Sequence, residues 1–238
     1  MFLRHVCKLI FRVFLFAMAF YLFFADVDKL NFTVIPDIGL NALFLFIIWI
    51  SLTVDMLYRI IPNKRISMGA RKHFTCSYSP APLSAITPKS KKTQKGALLS
   101  ISSWFLITAT VLFLLHQLGL LTPAAVLLIV LAYAVFDLVF ILIFCPFQVL
   151  FMRNRCCVVC RIYNWDYFMM CIPMILYPSV YSISLILLSL TVLIRWEVAF
   201  YTKPNYFTQE TNENLQCRRC EDKLCLLRKK YVDNTYTP

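Results

Sequence analysis

Residues 122–152 read TPAAVLLIVLAYAVFDLVFILIFCPFQVLFM and carry one charge, Asp137. The run exceeds the roughly 20 apolar residues that an α-helix needs to cross a hydrocarbon core. Its apolar residues do not alternate with polar ones, so it does not read as a strand of a membrane barrel. Similar runs occur at 6–24, 38–58 and 97–118, and residues 167–194 contain no charge at all. Hydrophobic residues make up 60% of the chain and charged residues 15%, against about half and a quarter in a soluble domain. The expected fold is an all-α, polytopic membrane helix bundle of about five spans. These are either five full spans or spans plus one broken or re-entrant helix, and a small cysteine-rich module sits on the cytoplasmic side.

The organisation follows from where the apolar runs stop. Residues 1–61 are expected to hold two transmembrane helices, and 62–96 a flexible basic loop rich in Pro, Ser, Thr and Lys. Residues 97–152 form a helical hairpin turning at Gly119 to Pro123, with a fourth span that tilts, kinks near Pro146 or projects beyond the bilayer. Residues 153–201 contain a cysteine loop and a Pro-interrupted transmembrane segment, and 202–238 form a cysteine-rich polar tail. Ala17-Met18-Ala19 has the form of a signal cleavage site, but the apolar stretch before it is short, so a retained anchor is expected.

The formal net charge is +12. Lys64, Arg65, Arg71, Lys72, Lys89, Lys91, Lys92 and Lys95 fall in one loop without an acid, which marks the cytoplasmic side and favours anionic lipid headgroups. Arg4, Lys8 and Arg12 put the amino terminus on the same side, with side chains able to snorkel to the interface. Nucleic acid is not an expected partner, because no stacking platform of aromatic residues is interleaved with these bases. The expected partners are the lipid bilayer and either an unidentified protein or a second copy of the chain.

Six of the ten cysteines form two clusters, Cys156, Cys157 and Cys160 in one and Cys217, Cys220 and Cys225 in the other. Two C-x2-C pairs present four thiolates to one tetrahedral metal, with Zn–S bonds of about 2.3 Å. The expected zinc ligands are Cys157, Cys160, Cys217 and Cys220, with Cys156 and Cys225 as spares or substitutes. An iron–sulfur cluster uses similar ligands, and redox thiols are a further reading. Cys7, Cys76, Cys145 and Cys171 read as ordinary apolar residues.

A shared site requires both clusters on one face of the membrane. Five spans would separate them. A short broken or re-entrant helix over Tyr163 to Tyr177, followed by a span from Ser179 to Tyr201, returns the tail to the cytoplasm. Pro173 and Pro178 mark the expected break. The same-side arrangement is therefore favoured.

Asp137 lies near the middle of the fourth span, where an acid costs roughly 2.5–3.5 kcal/mol on insertion scales. Arg12 is its expected partner, since both lie in the inner half of the bilayer. The pair either orients helices or forms part of a proton or cation path. Asp55 and Arg59, at i,i+4, are expected to form a helix-surface ion pair. His116 reads as an interfacial polar residue, and Trp49, Trp104, Trp165 and Trp196 mostly as interfacial anchors. The sequence contains no P-loop, dinucleotide fingerprint, nucleophile elbow or H-E-x-x-H.

The segment Cys160-Arg161-Ile162-Tyr163-Asn164-Trp165-Asp166-Tyr167-Phe168-Met169-Met170, with Arg195-Trp196-Glu197 and the C-x2-C-x4-C tail, resembles a group of uncharacterised bacterial multi-pass membrane proteins. The resemblance covers about the last eighty residues. It implies a bacterial inner-membrane location and one module containing both cysteine segments, but no activity. Read by itself, Asp166 or Asn164 suits a cap for the following helix, and Arg161 and Asp166 suit a mutual pair or a second layer around a metal.

The leading functional expectation is a non-catalytic membrane protein with a cytoplasmic cysteine-based metal module that senses or docks. The alternatives are a membrane thiol oxidoreductase or iron–sulfur redox protein, and a small oligomeric ion or proton transporter using Asp137.

Overall fold

The structure is a computed structural model that describes residues 2–33, 39–60, 83–143, 145–147, 150–151, 162–208 and 211–215, without the side chains of Phe2 and of 83–93. Six α-helices account for most of it: α1 (Phe2–Ala25), α2 (Leu40–Ile60), α3 (Leu83–Gln117), α4 (Pro123–Leu142), α5 (Ile162–Cys171) and α6 (Val180–Thr202). The described residues contain no strand. All but α5 are long and apolar enough to cross a membrane. The protein is a multi-pass membrane helix bundle.

Local chemistry sets the hairpin. Gly119 follows α3 with φ +69°, and the Leu120 amide donates to the Leu115 carbonyl at 2.9 Å while that of Gly119 donates to His116 at 3.0 Å. This left-handed ending closes the open carbonyls of α3. Thr122 then caps α4 by accepting from the Ala125 amide at 3.2 Å, and Pro123 occupies the first helical turn, where its missing N–H costs nothing. The opposite end of the bundle gathers Arg4, Lys8 and Arg59. These are the turn end and the basic end.

Two boundaries differ from expectation, while α1 is continuous as a retained anchor would be. α3 begins at Leu83, inside the stretch expected to be a flexible loop. Straight-chain Lys and Gln residues favour helix here, although Pro88 also lies within its first two turns. α4 ends at Leu142, short of Met152, and helical residues resume at Pro146 and Phe147, so the interruption falls just before the proline where a kink is expected. α1 runs unbroken through Ala17 and Ala19, and Ala19 is buried against the core.

The charge-free segment resolves the topology. α5 yields at Cys171 to a 3-10 helix, Ile172–Leu176, with Pro173 in its first turn. Proline has no N–H to continue the α ladder. Tyr163 meets Arg59 at the basic end, where Arg59 Nη1 donates to its carbonyl at 2.6 Å. Tyr177 meets the turn end, its hydroxyl donating to the Leu121 carbonyl at 2.7 Å. The segment therefore passes from one end to the other, as a broken helix and not a re-entrant one. Its α and 3-10 portions supply about 25 Å of rise. Ser179 caps α6 in a reciprocal box with Ser182, whose hydroxyl also lies 3.0 Å from the Tyr177 carbonyl, so the break leaves few open backbone groups. α6 then returns to the basic end, where Trp196 Nε1 lies 3.3 Å from the Arg59 carbonyl.

The helices meet through small and branched side chains. Ala19 of α1 and Ala124 and Ala134 of α4 are almost wholly buried, as are Ser182 and Ser189 of α6. Small residues let backbones approach where lipid supplies no hydrophobic drive for association. Large apolar side chains such as Leu3, Leu40, Leu106 and Val180 remain exposed, as expected of a lipid-facing surface.

An epitope inserted after Leu120 and one appended after Pro238 are expected to become accessible from opposite faces of the membrane in protease-protection experiments. Exposure of both from the same face would contradict passage of 162–177 through the bundle.

Candidate functional site

Two charged knots lie at the basic end. In the first, Arg12 of α1 is almost wholly buried. Its Nη2 donates to Asp55 of α2 at 2.8 Å, and its Nη1 reaches the Ala134 carbonyl at 2.5 Å and Asp137 of α4 at 3.2 Å. Lys8, one turn earlier on α1, meets the other oxygen of Asp55 at 2.7 Å. Lys8 and Arg12 stand at i,i+4, so a single face of α1 carries both cations to the acids of two other helices. Arg12 does not snorkel to the interface.

The second knot is built on Arg59. Its Nη2 donates to Asp166 at 2.6 Å and its Nη1 to the Tyr163 carbonyl. The guanidinium lies 3.5 Å from the Tyr163 ring centroid and 4.8 Å from that of Tyr167. Planar, weakly hydrated guanidinium suits this combination of carboxylate and aromatic faces. A cleft of about 100 Å³ joins the knots and is lined by Lys8, Asp55, Arg59, Asp137 and Tyr167 among others. Lys8, Arg12 and Arg59 balance Asp55, Asp137 and Asp166, so the two knots together are formally neutral.

The expected Asp55–Arg59 pair does not form. Each side chain turns inward to another helix, because an ion pair between partly buried helices is screened less than one on a helix surface. Asn164 and Asp166 do not cap a following helix, since α5 already starts at Ile162. Asp166 Oδ1 instead accepts its neighbour's amide, that of Tyr167, at 2.7 Å. Its charge partner is Arg59. Arg161 lies outside the described residues.

A polar clasp joins α5 to α6. Glu197 Oε1 accepts from Asn164 Nδ2 at 3.2 Å and from Trp165 Nε1 at 3.1 Å. Trp196 beside it is fully buried, with Tyr163 at 5.8 Å and Phe207 at 6.1 Å between ring centroids. Trp196 and Trp104 are thus core residues, not interfacial anchors, while Trp49 donates to Ser184 at 2.9 Å. Beyond α6, Asn212 Nδ2 returns to the Tyr206 carbonyl at 2.9 Å, and Thr211 hydrogen-bonds to Thr208 and to the Asn205 carbonyl.

Cys156, Cys157, Cys160, Cys217, Cys220 and Cys225 all lie outside the described residues. Among the described residues, Cys145 and Cys171 are buried and Cys7 is exposed. No group of three or more metal-ligating side chains occurs among the described residues. The roles of Lys8, Tyr163 and Glu197 escaped the sequence reading. The i,i+4 spacing of Lys8 and Arg12 was the available signal, since two cations on one face of an apolar helix require acids from elsewhere.

No protein-family model, curated protein sequence or solved structure matches the chain.

Arg59→Leu strands Asp166 in the bundle and should destabilise the protein by about 3–5 kcal/mol. Arg59→Leu/Asp166→Leu should recover more than half of that loss, because it removes both charges. Thermal unfolding of detergent-solubilised protein distinguishes these outcomes. Equal stability of the single and double variants would refute the ion pair.

Proposed function

We propose that this chain is a bacterial inner-membrane protein whose basic end faces the cytoplasm and carries one metal module built from both cysteine clusters. Arg4, Lys8 and Arg59, together with the basic segment after α2, support this orientation through the excess of Lys and Arg on cytoplasmic faces. Structural zinc suits the ligand set best: Cys157 and Cys160 from one side, Cys217 and Cys220 from the other, with Cys156 and Cys225 as substitute thiolates.

The observation that carries this reading is the packing of Tyr163 and Phe207 on opposite sides of the chain against one indole, Trp196. Tyr163 follows Cys160 closely, and Leu215 comes shortly before Cys217. At no more than about 3.6 Å per residue, Cys160 lies within about 11 Å of Tyr163 and Cys217 within about 36 Å of Phe207. The return of Thr211 and Asn212 onto the 205–206 turn keeps the intervening tail beside the bundle. The packing of the flanking residues Tyr163 and Phe207 on Trp196 supports a shared site.

The metal would staple the tail to the segment after α4 and create a rigid cytoplasmic surface suited to sensing or docking. The charged knots support this assignment over an ion path. Asp137 is bonded to Arg12, and Arg12 also binds Asp55 and a backbone carbonyl. Such a cross-linked guanidinium orients helices and is poorly suited to releasing its partner on every transport cycle.

Protein purified without oxygen should contain about one zinc per chain and no visible absorption band. Cys157→Ser and Cys217→Ser should each lose most of the metal, with the helical circular-dichroism signal retained. Visible iron–sulfur bands would replace zinc with a redox cluster. Metal-free protein with readily alkylated thiols that cycle with oxidant would overturn the module in favour of a thiol oxidoreductase.

A further inference from the structure

A cavity of about 310 Å³ lies between α3, α4 and α5. It is a different space from the polar cleft, although Asp137 borders both. Trp104, Tyr133, Phe136, Phe140 and Phe147 supply aromatic wall, and the remaining lining is predominantly apolar. The volume falls within the range of small-molecule sites, and an apolar enclosure with a few polar groups is their usual composition.

The polar groups define the ligand. Asp166 uses both oxygens, one on Arg59 and the other on the Tyr167 amide. Asp137 uses Oδ2 on Arg12, and its Oδ1 has no hydrogen-bond partner among the described residues. The side chain retains 20% of its exposure and borders the cavity, so its carboxylate can accept a further bond. A ligand group that meets Asp137 must therefore donate. A cationic head would add an uncompensated charge, because Lys8 and Arg12 already balance Asp55 and Asp137. A hydroxyl donates without adding charge.

We propose that this cavity binds a lipid-soluble molecule with a neutral hydroxyl head. The hydroxyl donates to Asp137 Oδ1 and the apolar body packs among the aromatic walls. Entry is from the lipid phase beside Ile107, which lines the cavity and is more than half exposed. The site is independent of the cysteine module.

The test uses the full chain in lipid nanodiscs and reads the quenching of Trp104, which lines the cavity. The probes are 12-bromododecan-1-ol and its methyl ether, which has the same chain but no donor. The alcohol should quench saturably, with the ether binding about tenfold more weakly, as expected for loss of a hydrogen bond to a charged acceptor. Trp104→Phe should remove the saturable component. Met169→Phe crowds the cavity wall without altering an ion pair and should weaken alcohol binding severalfold. Asp137→Leu should erase the preference for alcohol over ether, provided its circular dichroism matches the parent. Equal saturable binding of both probes by the parent protein would overturn the assignment. So would quenching that rises linearly with probe concentration, or an alcohol affinity unchanged by Met169→Phe.

Discussion

Arg12 carries a guanidinium into the interior of an apolar bundle, and much of the helix arrangement follows from how that charge is met. An arginine at mid-membrane costs at least about 2.5–3.5 kcal/mol on insertion scales, so its donors must find acceptors. Asp55, Asp137 and the Ala134 carbonyl provide them for its two terminal nitrogens, from α2 and α4. Those three bonds fix the rotation of α1 about its own axis. They also bring α2 and α4 to the same side of α1, although the two helices are far apart in sequence. Lys8 completes the balance from the next turn of α1.

Arg59 performs the corresponding task for the second half of the chain. It links the end of α2 to α5 through Asp166 and the Tyr163 backbone, and its own carbonyl receives the Trp196 indole of α6. Breaking either knot leaves a charge without its partner in low dielectric, which is costlier than never having introduced the pair. The knots are therefore better understood as devices for specifying which helices meet than as sources of net stability. Their concentration at one end gives the bundle a polar half and an apolar half. Toward the turn end, Phe32, Leu45, Ile48, Leu127 and Met174 pack with no ion pair among them.

The broken segment between α5 and α6 determines the parity of the chain. An unbroken helix over 162–194 would be far longer than the bilayer and would leave the tail on the opposite face. Pro173 shortens the α portion, the 3-10 turn stretches the remainder, and Ser179 restarts the helix in the other direction. One additional passage is obtained from a segment too short to register as a span by length. Ile162 and Leu215, the described residues nearest the two cysteine segments, follow and precede them in sequence. The Glu197 clasp and the Tyr163–Trp196–Phe207 stack keep the flanking chain together.

The sequence by itself determined the membrane class, four of the five long spans to within a few residues, the Gly119 turn and the position of the proline break. Each depends on composition or on local backbone chemistry. The α3 start and the α4 end were misplaced because Pro82 and Pro88 read equally as loop or as the start of a helix, and Pro146 equally as a kink or a stop. Arg12 and Asp137 could be matched from their similar depths. The partners of Asp55, Arg59 and Asp166 were decided only by tertiary structure, since an i,i+4 neighbour and a residue on another helix compete for the same charge. Which one wins depends on how the helices are rotated against each other. The aromatic cavity and the Trp196 stack likewise exist only once α3 to α6 are assembled, because the side chains that form them are contributed by separate helices.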